Sequence, residues 1–206
     1  MKTFFDKHAV NYKYSQNGEE GIVAECFQRM RRQFPIMCEF GAHNGKYCSN
    51  TRHFVDVWAG SCLMIEADYD LYSQLKSGSS GVKIVALKDS VNSDNINTFL
   101  SVLPDDFDLL SIDTDGDNDY DVFYALYAKP KIVIIEINSG LHPATNGIKT
   151  GYKEMVKLGI AKGYFLLCHT GNLVFVDNKY RELFPEIEGD GLTNSEIYFN
   201  TSWLRQ

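Results

Sequence analysis

The stretch Cys38-Glu39-Phe40-Gly41-Ala42-His43-Asn44-Gly45 decides the fold of this chain. It closes a short apolar run at 36–40 and precedes an amphipathic segment, so it predicts a strand that passes through a glycine turn into a helix. The glycines would let the backbone approach a ligand closely, and the N-terminus of the helix would offer unpaired N–H donors. Glycine turns after strands are also common where no ligand binds, so the turn alone does not establish a function.

The acid in front of the turn narrows the choice of ligand. The spacing is G-x-x-x-G behind Glu39, whereas a dinucleotide-binding turn has the pattern G-x-G-x-x-G. A carboxylate at Glu39 would repel a pyrophosphate and would suit a ligand with a cationic centre or an amino group. The second predicted strand ends with Glu66, where an acid can accept hydrogen bonds from both hydroxyls of a ribose. Together the two acids indicate a nucleoside without phosphates, and S-adenosylmethionine (SAM) fits that description.

Outward from the turn, short runs rich in Val, Ile and Leu alternate with longer amphipathic segments, a rhythm typical of β-α units around a mostly parallel sheet. Seven strands are predicted, at 36–40, 61–66, 82–87, 107–112, 131–137, 164–169 and 173–177. Six helices are predicted, at 18–33, 49–58, 69–76, 94–102, 120–128 and 149–161, and the pair Asn17 and Glu20 suggests a capping box on the first of them. Only four residues join the last two strands, so these strands must form an antiparallel hairpin.

Length and composition set limits on the class of protein. A chain of 206 residues suits one domain, and 44% hydrophobic with 23% charged residues is typical of a folded chain. We predict a single domain over 1–206, with an N-terminal helical extension at 1–35, a Rossmann-like core at 36–177 and a C-terminal tail at 178–206. Charge appears early at the N-terminus and no apolar stretch is long enough to span a membrane, so we expect a cytoplasmic protein. The net charge of −7 argues against nucleic acid as a partner.

Several motifs together resemble the FkbM-type SAM-dependent methyltransferases. They are Tyr14-Ser15-Gln16-Asn17-Gly18-Glu19-Glu20-Gly21, the glycine turn with Ser49-Asn50-Thr51, Leu110-Ser111-Ile112-Asp113-Thr114-Asp115-Gly116 with Asp119-Tyr120, Val133-Ile134-Ile135-Glu136-Ile137-Asn138, and Lys162-Gly163-Tyr164 with Gly171-Asn172. The resemblance implies a Rossmann-like methyltransferase fold and transfer of a methyl group to a hydroxyl of a sugar, glycan precursor or natural product. The expected cofactor-binding residues are Gln16, Glu39, Gly41, Ala42, Asn44, Gly45, Asn50, Thr51, Glu66, Ala67, Lys88 and Asp113.

Acids also follow the fourth and fifth predicted strands, and these strands are expected to be neighbours. Their oxygens would then converge, as in the magnesium site of catechol-type O-methyltransferases, and hard cations prefer such ligands. We therefore predict a Mg²⁺ or Mn²⁺ site formed by Asp113, Asp115, Glu136 and Asn138. Alternatively, the first two acids only cap the next helix, and the other two side chains bind backbone or cofactor.

The predicted catalytic residues are Asp115, His142 and Asp113. His142 follows the fifth strand on a loop and could accept a proton from the acceptor at neutral pH, although it could equally be an exposed loop histidine. A small-molecule or glycan acceptor is the expected partner, and the sequence leaves open whether the chain forms a homo-oligomer. Two other functions remain as alternatives: a nicotinamide-dependent oxidoreductase on a similar sheet, and a non-catalytic module that retains the cofactor fold.

Overall fold

A computed structural model of the chain describes residues 3–114 and 118–193. Its strands are β1 Ile36–Phe40, β2 Ser61–Glu66, β3 Ile84–Lys88, β4 Leu109–Ile112, β5 Ile132–Glu136, β6 Tyr164–His169 and β7 Asn172–Asp177. Its α-helices are α1 Phe4–His8, α2 Glu19–Arg29, α3 Arg52–Trp58, α4 Tyr69–Gly78, α5 Ile96–Leu100, α6 Asn118–Ala125 and α7 Tyr152–Ala161, and a 3-10 helix follows at Asn178–Leu183. Helix α1 and the 3-10 helix are elements that the sequence pattern did not predict.

The seven strands form one sheet in the order β3-β2-β1-β4-β5-β7-β6. Strands β1 to β5 pair in parallel, whereas β7 runs antiparallel to both β5 and β6. The predicted α/β fold, a seven-stranded and mostly parallel sheet closed by an antiparallel hairpin and preceded by an N-terminal helix, is therefore confirmed. Because the crossover connections place helices over the sheet, its central strands are buried on both faces.

The hydrophobic core lies on both sides of the central strands. The four apolar residues of β5, Ile132, Val133, Ile134 and Ile135, are fully buried, which explains why β5 reads as a continuous apolar run rather than an alternating one. Strand β3 differs because it stands at one edge of the sheet, and its residues are half-buried or exposed in alternation. Within residues 3–114 and 118–193, no helix has the length and apolar character needed to cross a membrane.

The start of α2 corrects the predicted capping box. The helix begins after Gly18, which adopts a left-handed conformation with φ +96° and provides no side-chain cap. The carboxylate of Glu20 instead accepts hydrogen bonds from the backbone N–H groups of Lys13 (2.7 Å) and Tyr14 (2.9 Å). The acid therefore holds the preceding loop rather than the helix terminus.

The end of α2 and the start of β4 also differ from the prediction, and both differences involve the same buried acid. Helix α2 stops at Arg29 rather than at residue 33, because Arg31 takes a left-handed conformation with φ +55°. Arg32 then reaches the fully buried carboxylate of Asp108, with Nε 2.7 Å from Oδ1. Asp108 also accepts the backbone N–H of Ile36 at 2.8 Å, so it joins the beginnings of β1 and β4.

Candidate active site

The register of the sheet aligns the carboxyl ends of its central strands. Phe40 of β1 pairs with Ile65 of β2 and with Ile112 of β4, and Ile112 pairs with Ile135 of β5. The residue that follows each of these four positions therefore lies at the same edge of the sheet. Neighbouring backbones there are about 4.8 Å apart. Across the sheet this row reads Glu66, Gly41, Asp113 and Glu136.

A cavity of about 310 Å³ opens above this row, a size within the range of small-molecule sites. Its lining includes five carboxylates and, among the described residues, neither lysine nor arginine. The lining residues are Gln16, Glu39, Gly41, Ala42, His43, Tyr47, Cys48, Ile65, Glu66, Ala67, Leu71, Asp89, Ser90, Val91, Asp113, Thr114 and Glu136. Seven of the residues predicted to bind a cofactor thus share one cavity: Gln16, Glu39, Gly41, Ala42, Glu66, Ala67 and Asp113.

Glu39 lies at the base of the cavity and is only 3% exposed. Its carboxylate accepts hydrogen bonds from the Ser49 hydroxyl (2.7 Å), the Asn50 backbone N–H (2.8 Å) and the Thr51 hydroxyl (2.6 Å). Burial raises the pKa of Glu39, the three donors oppose that rise, and the charge of Asp113 adds to it. Asn50 and Thr51, predicted to bind cofactor, hold Glu39 in this structure, while the Asn50 side chain donates to the Ser111 hydroxyl at 3.0 Å. These bonds explain why α3 starts at Arg52 rather than at residue 49.

Glu66 closes β2 and is 8% exposed. Its Oε2 accepts the backbone N–H of His43 at 2.7 Å, and its Oε1 accepts the backbone N–H of Asp68 at 2.8 Å. A carboxylate oxygen can accept two hydrogen bonds, so each oxygen retains capacity for a ligand hydroxyl. Lys88 pairs with Glu66 in the register, yet its side chain is exposed and lies outside the cavity lining.

The two glycines of the turn are needed for contacts within the protein. Gly41 has φ +65°, and a Cβ there would lie 1.6 Å from the carbonyl oxygen of Asp113. Gly45 has φ +72°, and a Cβ there would lie 2.4 Å from Cδ1 of Leu75. Gly41 lines the cavity and Gly45 lies outside its lining, and the expectation that both give room to a ligand stays a prediction. Asn44 also lies outside the lining, and its Oδ1 accepts the Tyr47 N–H at 2.9 Å within the turn.

His43 is a cavity residue that sequence reasoning left unassigned. It adopts φ +50° in the turn, and its ring centroid lies 5.1 Å from that of Tyr47. Its Nδ1 is buried and has no hydrogen-bond partner among the described residues. A buried polar atom without a partner is costly, so Nδ1 is a ready contact for a polar ligand group. In the sequence, its position between Gly41 and Gly45 was the feature that could have identified it as a site residue.

Gln16 enters the cavity from the loop that precedes α2. The side chain of Asn11 donates to the Gln16 carbonyl at 2.8 Å, and its Oδ1 accepts the Ser15 hydroxyl at 3.0 Å. Behind the loop, the buried carboxylate of Glu19 accepts the Asn17 N–H (2.8 Å) and the Thr170 hydroxyl (2.7 Å). The loop is thus joined to the turn of the β6–β7 hairpin, which fixes Gln16 at the edge of the cavity.

Only some of the predicted catalytic and metal-binding residues lie in the cavity. Asp113 and Glu136 line the cavity, and Asp115 lies outside the described residues. His142 is exposed and outside the lining, and its Nδ1 accepts the Ala144 N–H at 3.1 Å. Asn138 is also exposed, and its backbone N–H donates to Thr150. Among residues 3–114 and 118–193, no group of three or more His, Cys, Asp or Glu side chains could hold a metal ion, so the predicted metal site is not supported.

The other cavity residues that the sequence analysis missed are Tyr47, Cys48, Ile65, Leu71, Asp89, Ser90, Val91 and Thr114. Three of them, at 89–91, directly follow β3, and the rule that ligands bind beyond the carboxyl ends of parallel strands could have found them. Thr114 is held by Asp119, which is 1% exposed and accepts the Thr114 N–H at 2.8 Å. Asp119 lies inside the first turn of α6.

No protein-family model matches the sequence, and the comparison with curated proteins finds no match. The fold is similar to the crystal structure of monomeric WbdD, with a TM-score of 0.51 and 12% identity over 76% of this chain. This chain covers only 40% of the WbdD chain. A putative O-methyltransferase from Klebsiella pneumoniae matches with a TM-score of 0.49 and 15% identity, over 82% of this chain and 84% of that one.

A third similar structure is precorrin-6y C5,15-methyltransferase from Geobacter metallireducens, with a TM-score of 0.49, 13% identity, and coverage of 84% of this chain and 95% of that one. Likeness at these identities concerns the fold alone. The strand order and the terminal hairpin described above give this chain a Rossmann-like α/β fold.

Proposed function

We propose that this protein is a SAM-dependent O-methyltransferase of the FkbM type, acting on a hydroxyl of a sugar, glycan precursor or natural product. The observation that carries the proposal is the cavity at the carboxyl edge of a methyltransferase-type sheet, in which Glu66 and four other carboxylates surround one ligand-sized space. The sequence motifs that resemble FkbM-type enzymes contribute Gln16, Glu39 and Asp113 to the same cavity.

The residues of the cavity fit SAM in charge and in hydrogen bonding. SAM carries an ammonium and a sulfonium group, and the sulfonium supplies an electrophilic methyl group when the cofactor is bound. A site lined by carboxylates favours both positive charges. Glu66 retains acceptor capacity for the ribose hydroxyls, and the buried Nδ1 of His43 offers a further polar contact. This fit rests on the negative charge of the cavity's carboxylates, on the remaining hydrogen-bond capacity of Glu66 and His43, and on the position of these described residues around the cavity.

Asp113 and Glu136 are the candidates for binding the acceptor hydroxyl and taking its proton. They stand side by side at the ends of β4 and β5, with backbones about 4.8 Å apart. A carboxylate at hydrogen-bond distance from a hydroxyl can orient it and accept its proton as the hydroxyl oxygen becomes bonded to carbon. Because both line the cavity and His142 does not, the role of base passes from His142 to these acids. The proposal places the enzyme in the cytoplasm with a small-molecule or glycan acceptor.

The rival function, a nicotinamide-dependent oxidoreductase, requires a site that accepts a pyrophosphate. Five carboxylates around the cavity would repel those negative charges, and the turn that would hold a pyrophosphate is preceded by the buried Glu39. The same acids favour a cationic cofactor. A non-catalytic module would retain this cavity and its affinity for SAM but would transfer no methyl group to any acceptor.

Titration calorimetry with S-adenosylhomocysteine (SAH) and with NAD, at matched concentrations of the full chain, tests the proposal. We expect binding of SAH and none of NAD. Glu66→Gln should weaken SAH binding, whereas Asp70→Asn should not, since Asp70 is exposed on α4 and lies outside the cavity lining. Binding of NAD without SAH would contradict the proposal and favour the oxidoreductase.

A further inference from the structure

We propose that two copies of this chain pair through β3, antiparallel and about a two-fold axis, so that the sheets of the two subunits become continuous. The inference goes beyond the proposed methyl transfer and does not depend on it. It rests on the position of β3 at the edge of the sheet, on the direction of its backbone hydrogen bonds, and on a self-complementary row of side chains at 83–89.

The outer edge of β3 has the backbone groups that strand pairing needs. In the sheet formed by the described residues, β3 pairs with β2 on one side only. The carbonyl of Lys83 accepts the Cys62 N–H at 2.9 Å and the N–H of Asp89 donates to Glu66 at 3.2 Å, so the odd-numbered residues bond towards β2. Successive residues in a strand direct their backbone groups to opposite edges. Residues 84, 86 and 88 therefore direct their backbone groups outwards, except that the N–H of Ile84 donates to the carbonyl of Val82 at 2.9 Å within the chain.

Those outward groups define one natural register for a symmetric antiparallel pair. In such a pair, residues that exchange both backbone hydrogen bonds must be the ones whose groups point outwards. Centring the two-fold axis on Ala86 pairs Ala86 with the partner subunit's Ala86, and Ile84 with the partner subunit's Lys88. Ala86 then exchanges both backbone hydrogen bonds with its counterpart, and the carbonyl of Ile84 accepts the N–H of the partner subunit's Lys88, which is the arrangement of an isologous interface.

The same register makes the exposed face of β3 complementary to itself. The odd-numbered residues form a stripe that reads lysine, valine, leucine, aspartate, and Val85 and Leu87 are 60% and 37% exposed. In the centred pair, Val85 lies opposite the partner subunit's Leu87, and Lys83 lies opposite the partner subunit's Asp89. Each apolar pair and each ion pair occurs twice by symmetry. Cross-strand apolar and oppositely charged pairs of this kind stabilise antiparallel strands.

The two charged residues keep enough capacity for this contact. Lys83 Nζ donates to the carbonyl of Ala59 at 3.1 Å, which leaves two further N–H groups on the ammonium. Asp89 Oδ1 accepts the N–H of Ser90 at 2.8 Å, which leaves the other carboxylate oxygen. Asp89 also lines the cavity, so the partner subunit's Lys83 would contribute a positive charge at its border. The interface and the candidate active site are thus adjacent.

Sedimentation equilibrium of the full chain over a range of micromolar concentrations tests the inference. We expect a species of twice the chain mass, and Val85→Glu should raise its dissociation constant by at least about tenfold, because the change enters a symmetric interface twice. Val57→Glu is the matched control, since Val57 is 66% exposed on α3 and is not part of the β3 stripe. A chain that stays monomeric throughout, or a dimer that Val85→Glu and Val57→Glu affect equally, would overturn the inference.

A charge exchange tests the register itself. Lys83→Asp and Asp89→Lys should each weaken the dimer, because each places like charges opposite one another, and the double variant Lys83→Asp/Asp89→Lys should restore it. Failure of the double variant to recover would contradict this register. Because the readout is mass, it is independent of cofactor binding: a dimer that binds no SAH would contradict the proposed function and leave the interface standing.

Discussion

Replacing Glu66 by glutamine tests the central residue of the candidate site, because its carboxylate is predicted to serve the protein and the ligand at once. In the folded chain it accepts the N–H of His43 at 2.7 Å and that of Asp68 at 2.8 Å while being 8% exposed. Glutamine has only one acceptor oxygen, so one of these two N–H groups loses its partner. A buried donor left without a partner costs about 1–3 kcal/mol, and we expect the free energy of unfolding of Glu66→Gln to fall by that amount.

The effect on ligand binding should be larger and separable. A hydrogen bond to a charged group contributes about 1.5–3 kcal/mol, and two ribose hydroxyls would lose their charged acceptor together. The lower bound for the pair is about 3 kcal/mol, which corresponds to a roughly 150-fold weaker affinity for SAH.

Calorimetric titration with SAH measures this affinity, and denaturant unfolding of the same samples measures stability. Asp70→Asn is the control, since it also removes one negative charge near the start of α4 and its side chain is exposed. If Glu66→Gln binds SAH as tightly as the unaltered protein while circular dichroism shows a normal fold, Glu66 does not receive the ribose.

Three further changes test the supports of the site. Gly41→Ala should destabilise the fold severely, as judged by thermal unfolding, because its Cβ would lie 1.6 Å from the Asp113 carbonyl oxygen; a normal melting temperature would show that the turn can move away. Thr51→Val removes one of three donors to the buried Glu39, so we expect a loss of about 1–3 kcal/mol by urea unfolding and a further rise in the pKa of Glu39. Burial lowers the pKa of His169 from 6.5 to about 3, so the unfolded chain binds the proton first and stability falls as the pH drops through that window. Between pH 7 and pH 5 this loss is about 2 kcal/mol, and it should disappear in His169→Asn, whose amide oxygen can still accept the Gly171 N–H; equal pH dependence in both proteins would exclude His169 as the cause.

The fold could be predicted from the sequence because its signals are local and strong. Strands β1, β2 and β6 have the predicted bounds, since each is a mostly apolar run that ends at a polar residue or a turn. The antiparallel hairpin could be predicted from the length of the connecting segment alone, because four residues cannot cross over a sheet. Helix ends were less predictable, because they depend on tertiary partners such as Asp108, which draws Arg32 away from the end of α2.

The candidate site could be predicted only in part, for a related reason. The ends of parallel strands must meet at one edge, so Glu39, Glu66, Asp113 and Glu136 could be grouped from their positions alone. Sequence spacing does not show which polar side chain faces a ligand and which one faces another side chain. Asn50 and Thr51 look like cofactor ligands in the sequence, yet the Thr51 hydroxyl donates to the buried Glu39 and the Asn50 side chain donates to the Ser111 hydroxyl.

The concentration of acids in the cavity connects the fold with the proposed chemistry. Burial raises the pKa of Glu39, and the negative charge of Asp113 raises it further, so the protein alone disfavours the ionised form of Glu39. The donors from Ser49, Asn50 and Thr51 oppose this effect for Glu39. A positive ligand at the row of strand ends would relieve the remaining repulsion between carboxylates, whereas a pyrophosphate would increase it. The donors around Glu39 therefore reduce the cost of its negative charge, and a cation such as the proposed sulfonium cofactor would be favoured at the row of strand ends.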